Sequence, residues 1–122
     1  MFKMLIRMFE KQQELQEKLG IWKKIEADPP QAKQAFINQM ILACQEELVE
    51  IMRETPYKNP EYVPFGWKKG QIGDPEKFKD EIIDLWHFVM NLALVSGMNA
   101  NEFYLRYCKK NTINLHRQKI NY

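Results

Sequence analysis

The chain has 122 residues, of which 45% are hydrophobic, and its net charge is +2. That length suits a single domain over residues 1–122, and the near-balanced charge lacks the basic footprint of a nucleic-acid binder. Cys44 and Cys108 sit in apolar helical contexts with no zinc-type spacing to histidine, so they read as small buried hydrophobes in a reducing compartment rather than as a disulfide framework.

The opening Met1-Phe2-Lys3-Met4-Leu5-Ile6-Arg7-Met8-Phe9-Glu10 is too interrupted by charge for a signal peptide or a membrane span. The expectation is a cytoplasmic protein with no membrane partner. A first helix is predicted from about Lys3 to Leu19, with Leu5, Met8, Leu15 and Leu19 giving an apolar side and Gly20 a stop. Gln12 and Gln16 are one turn apart and can share a face. Trp22 and Ile25 are expected to pack the connection, and Asp28-Pro29-Pro30 breaks the chain.

A second helix is predicted from about Gln31 to Glu54, ended by Pro56. The stretch from Pro56 to Gly70 holds three prolines and two glycines, which exclude a regular helix. It is also rich in aromatics, as in an ordered loop. Asp74-Pro75 is a strong helix start, an acidic N-cap followed by proline at the first helical position. The third helix is predicted to run to about Ser96, with Gly97 capping it. Asn99 or Asn101 can cap a fourth, ending near Lys119. No segment reads as a strand. The predicted fold class is all-α, a four-helix bundle-like domain completed by oligomerisation, because Trp86 broadens the third apolar stripe beyond what one partner helix needs. A homodimer is the simplest closed choice.

The chemistry is concentrated in two acidic runs on these helices. Ile37, Met40, Cys44 and Ile51 form one apolar stripe, and Glu47 fills the slot between Cys44 and Ile51. Phe78, Leu85, Phe88 and Leu92 form another, and Glu81 falls between Phe78 and Leu85. Glu50 shares a face with Glu47, and Asp84 with Glu81. Acids at core positions are costly without compensation. Carboxylates on facing helices repel unless a cation sits between them, and all-oxygen ligands suit Mg²⁺, with Mn²⁺ an alternative.

Three further groups fit the same chemistry. Lys110, Asn114 and Arg117 share one face of the last helix, with a cationic end suited to phosphate. Trp67 could cover a base while Lys68 reaches phosphate. Gln12 and Gln16 could read a base edge. Together they describe a metal-dependent nucleoside triphosphate site. Each has a plainer reading beside it: surface acids on amphipathic helices, Trp67 as packing, basic residues complementing a helix dipole, glutamines in solvent. A non-enzymatic helical interaction module is the corresponding alternative for the whole chain.

The pattern Glu-Glu-x-x-Glu followed by Glu-x-x-Asp resembles the all-α nucleoside triphosphate pyrophosphatase superfamily, which includes the MazG-like enzymes and the dimeric dUTPases. Asp84-Leu85-Trp86-His87-Phe88, the closing Lys110-to-Tyr122 run and the opening Phe9-Glu10-Lys11-Gln12 are similar to motifs of the dimeric dUTPases. Asn121 stands where that family usually has glycine. The resemblance implies hydrolysis of dUTP to dUMP and pyrophosphate, which limits uracil in DNA and supplies dUMP. It implies Glu47, Glu50, Glu81 and Asp84 as metal ligands, and Glu46 with Glu47 as the catalytic acids that orient or deprotonate the water. Lys110, Asn114 and Arg117 would then hold phosphates, and Gln12, Trp67 and Lys68 would bind the nucleotide. Another dNTP, such as dCTP or a purine dNTP, is the alternative substrate.

Overall fold

The computed structural model describes residues 2–55 and 74–120, and the expectations for Trp67 and Lys68 lie outside them. Five helices make up almost all of the described residues: α1 (Phe2–Lys18), α2 (Ile21–Ala27), α3 (Gln31–Arg53), α4 (Pro75–Val95) and α5 (Ala100–Lys119). The all-α class and the long helices follow the sequence reading closely. The addition is α2. Trp22 and Ile25, expected in a connection, lie on this short helix, and Trp22 packs edge-on against Phe36 of α3 at a centroid separation of 5.9 Å.

The helix ends show why the chain stops and starts where it does. Asp74 takes an extended backbone and its carboxylate accepts from the amides of Glu76 and Lys77, with Pro75 entering the first turn. At the other end of α4, Gly97 has φ 90°, a conformation costly for other residues. Its amide donates to Leu94 and that of Met98 to Ala93. This Schellman pattern turns the chain back on itself and folds Met98 onto the core. Asn99 then caps α5 by accepting from the amide of Glu102 at 2.8 Å.

Helix α4 is the central element, with different helices on its two sides. Asn91 meets Met40, while Glu81 meets Glu47 and Glu50, so α3 and α4 run antiparallel. The residues of both predicted stripes are half-buried, as facing stripes should be. On another side of α4, Met90 and Ala93 form a core cluster with Phe9 and Ala100, flanked by Trp86, Leu94 and Phe103. Phe103 touches both Phe9, at 5.5 Å between centroids, and Trp86, at 5.6 Å. The apolar breadth that Trp86 adds to α4 is therefore covered by the chain's own α5, which removes Trp86 as an argument for a second copy. Other apolar groups remain exposed, among them Leu48, Val49 and Met52 on α3, Ile82 and Ile83 on α4, and Leu105 and Leu115 on α5.

Candidate functional site

The antiparallel register of α3 and α4 brings the two acidic runs into one layer. One carboxylate oxygen from each of Glu47, Glu50 and Glu81 lies within 4.8 Å of the other two. All three residues are half-buried, set between apolar layers made by Cys44 and Leu85 on one side and Ile51 and Phe78 on the other. Glu47 Oε2 and Glu81 Oε2 are buried and accept no hydrogen bond from a described group. Burial pushes the Glu47 carboxyl up to about 7, helped by the adjoining Glu81 carboxyl and then by the charges of Glu50 and Asp84. The Glu81 carboxyl is raised too, by desolvation first and by Glu50 next. Burial and the nearby Glu47 also push up the Cys44 thiol, one turn along α3. Each of these shifts has burial as its largest cause and neighbouring carboxylates after it, and both disfavour negative charge in this layer.

A divalent cation fits that arrangement. The donors are all oxygen, as Mg²⁺ and Mn²⁺ prefer. One oxygen of each carboxylate lies within 4.8 Å of the other two, so all three residues can turn an oxygen toward a single small cation. The two orphaned buried oxygens are the groups that such an ion would satisfy. Asp84 is exposed and stands outside the trio, close enough for its charge to raise both Glu47 and Glu81. Glu46 is exposed, one turn before Glu50 on the same side of α3.

Farther along α4 lies a second polar group. Gln12 is 3% exposed and donates to Asn91 Oδ1 at 2.7 Å; Asn91, also 3% exposed, donates in turn to Met40 Sδ at 3.4 Å. Gln16, at 5% exposure, follows Gln12 by one turn. The glutamines are thus core residues rather than solvated ones. Asn91 is a member of this group that the sequence reading did not single out. The signal was available, since Asn91 is two turns from Asp84 on one stripe of α4 and is flanked by apolar residues. The distance along the helix from Asp84 to Asn91 is about 10 Å.

Lys110, Asn114 and Arg117 are all exposed, on the distal part of α5. They are not part of the Glu47–Glu50–Glu81 layer, and α5 rests through Phe103 on the Trp86 and Met90 side of α4. Among the described residues, no helix is long and apolar enough to cross a membrane.

Among the described residues, an all-helical fold thus carries a tight carboxylate layer able to hold a cation and a neighbouring buried amide pair. A family model described as dUTPase matches residues 4–104, and the chain belongs to that family. The matched span includes α1, the acidic layer and Asn91, and ends before Lys110. A dCTP pyrophosphatase of Enterobacteria phage T4 is 41% identical over 49 residues, covering 40% of this chain and 29% of that relative. The chain thus spans less than a third of the length of this curated relative. No solved structure matches the chain.

Proposed function

We propose that the protein is a divalent-metal-dependent nucleoside triphosphate pyrophosphohydrolase of the MazG-like, all-α superfamily, converting dUTP to dUMP and pyrophosphate. The observation that carries this is the Glu47–Glu50–Glu81 layer with its two orphaned buried oxygens, in a chain of the dUTPase family. Glu47, Glu50 and Glu81 hold Mg²⁺, or Mn²⁺ in its place, and Asp84 joins them from the rim. The bound cation neutralises phosphate charge and lowers the pKa of water. Glu46, one turn from Glu50, orients the attacking water and takes its proton. Attack at the α-phosphorus breaks the bond to the bridging oxygen, and pyrophosphate leaves. Lys110, Asn114 and Arg117 hold phosphate oxygens, where charge-assisted contacts suit them. Trp67 and Lys68 are assigned to the nucleotide on the sequence reading alone.

The base belongs at the Gln12–Asn91 pair. The pair lies roughly 15 Å along α4 from Glu81 and roughly 10 Å from Asp84 at the rim, so a nucleotide can span from one group to the other. A carboxamide presents a donor or an acceptor according to its rotation, so this pair can read uracil or cytosine. The phage dCTP pyrophosphatase similarity favours dCTP as the second reading. A homodimer in the cytoplasm, where free thiols persist, completes the proposal.

The test is a panel of dNTPs with Mg²⁺, scored for pyrophosphate. Release from dUTP above the others is expected, and a preference for dCTP would move the assignment to the second reading. Orthophosphate release would contradict attack at the α-phosphorus. No release from any nucleotide would favour a non-enzymatic helical interaction module.

A further inference from the structure

We propose that Met40 is a positioning residue for substrate choice: its thioether fixes the hydrogen-bond sense of the Gln12–Asn91 pair, so that the site takes uracil and turns cytosine away. This rests on the reading of that pair as the base site. The bonds run one way. Gln12 Nε2 donates to Asn91 Oδ1 at 2.7 Å, and Asn91 Nδ2 donates to Met40 Sδ at 3.4 Å. A thioether accepts weakly and has no proton to donate. The opposite rotation of Asn91 would set its carbonyl oxygen against the sulfur, acceptor against acceptor, at a buried residue. Met40 therefore decides which end of the Asn91 amide faces α3. Asn91 in turn decides which end of Gln12 faces α4, since its oxygen is met only by a donor. Both amides are buried, so one does not turn without the other.

That sense matters because the two pyrimidines differ in the same property. Uracil carries a carbonyl acceptor at its 4-position and an N–H donor at N3. Cytosine carries an amino donor and a lone pair at the same places. The observed sense commits an N–H of Gln12 to Asn91 and leaves the Gln12 carbonyl oxygen for a ligand. The uracil N3–H satisfies that acceptor, whereas the cytosine N3 lone pair is repelled by it. The reversed sense would turn the Gln12 oxygen to Asn91 and offer N–H groups instead, which suits cytosine. The place of Met40 agrees with this role. It is half-buried on the stripe of α3 that continues through Cys44 to Glu47, roughly 10 Å along the helix. One stripe thus touches the base pair of residues at Met40 and enters the acid layer at Glu47. Leucine would fill nearly the same volume; what the sulfur adds is the acceptor.

The experiment compares kcat/KM for dUTP with kcat/KM for dCTP in wild type, Met40→Leu, Met98→Leu and Gln12→Ala, at a temperature where all four are folded. Met40→Leu keeps volume and removes the acceptor. Met98→Leu makes the same change where a methionine packs on the core cluster, away from the pair. Both substrates meet the same protein, so a loss of stability or of metal cancels in the ratio. Wild type is expected to prefer dUTP. Met40→Leu should narrow that preference by about 3- to 10-fold, the worth of one modest hydrogen bond, and Met98→Leu should leave it unchanged. A preference lost in Gln12→Ala but kept in Met40→Leu would overturn the role of Met40 and leave the pair as the base site. A preference kept in Gln12→Ala would take the base away from the pair, and the proposal with it. Equal narrowing in Met98→Leu would reduce Met40 to packing. Wild type that prefers dCTP, takes both bases equally or releases pyrophosphate from neither would also overturn the proposal, because the locked sense offers an acceptor to N3.

Discussion

Asn91 and Glu81 occupy the same helix, less than three turns apart, and both put polar atoms among apolar neighbours. Their fates differ. The carboxamide of Asn91 accepts from Gln12 and donates to Met40, so burial leaves it satisfied. The carboxylate of Glu81 faces two more carboxylates, and its buried oxygen finds no donor among the described residues. The first arrangement is satisfied before any nucleotide arrives, and a base would use the donors and acceptors the pair leaves over. The second is complete only with a proton or a cation.

Four experiments break or sharpen that contrast. The largest effect is expected from Glu81→Gln, which keeps shape and removes a ligand. Turnover with Mg²⁺ should fall by more than about 100-fold, the upper end even for residues behind the ligands, and a steady-state pyrophosphate assay showing less than a few-fold loss would take Glu81 off the metal. Lys110→Ala comes next. Loss of one charge-assisted phosphate contact costs about 1.5–3 kcal/mol, to be read as lower kcat/KM with unchanged thermal stability. Unaltered kinetics would take Lys110 off the phosphates.

Gln12→Ala should act on the other side of the comparison. It strands Asn91 Oδ1 in the core, so denaturant melts should show a loss of about 1–3 kcal/mol with or without Mg²⁺. Stability unchanged by this substitution would show that the amide pair is not a structural link. The smallest effect is a pH slope. In EDTA the folded protein keeps a proton on Glu47 up to about 7, whereas the unfolded chain releases it near 4.5. The folded state therefore binds more protons across that window, and stability must fall as pH rises through it. Melts between pH 4.5 and 8 should show the decline in wild type and a shallower one in Glu47→Gln. A wild-type Tm that rises through this range would contradict the crowding of the acids.

Much of this was legible in the sequence because it depends on local rules. Asp74-Pro75, Gly97 and Asn99 mark helix ends by their own backbone and side-chain chemistry, and those ends lie where they predict. The slots of Glu47 and Glu81 follow from helical spacing alone. The burial of Gln12 was not decidable that way, since its partner Asn91 is remote in sequence and only the packing of α1 on α4 unites them. Trp86 misled for the same reason: its cover, Phe103, comes from across the Gly97 turn. Periodicity shows that a face is apolar, but not which helix buries it.

The central claim is that the layer of Glu47, Glu50 and Glu81 is a cation site. Its most direct test is a pair of thermal melts, in EDTA and in Mg²⁺, for wild type and Glu81→Gln. Binding to the folded state alone raises stability, so wild type should gain Tm on adding Mg²⁺. Glu81→Gln should match or exceed wild type in EDTA, because one repelling charge is gone, and should gain less from the metal. Equal Mg²⁺-induced shifts in the two proteins would contradict the account, and an ordinary surface glutamate would give that result, with changes within about 0.5 kcal/mol in either buffer.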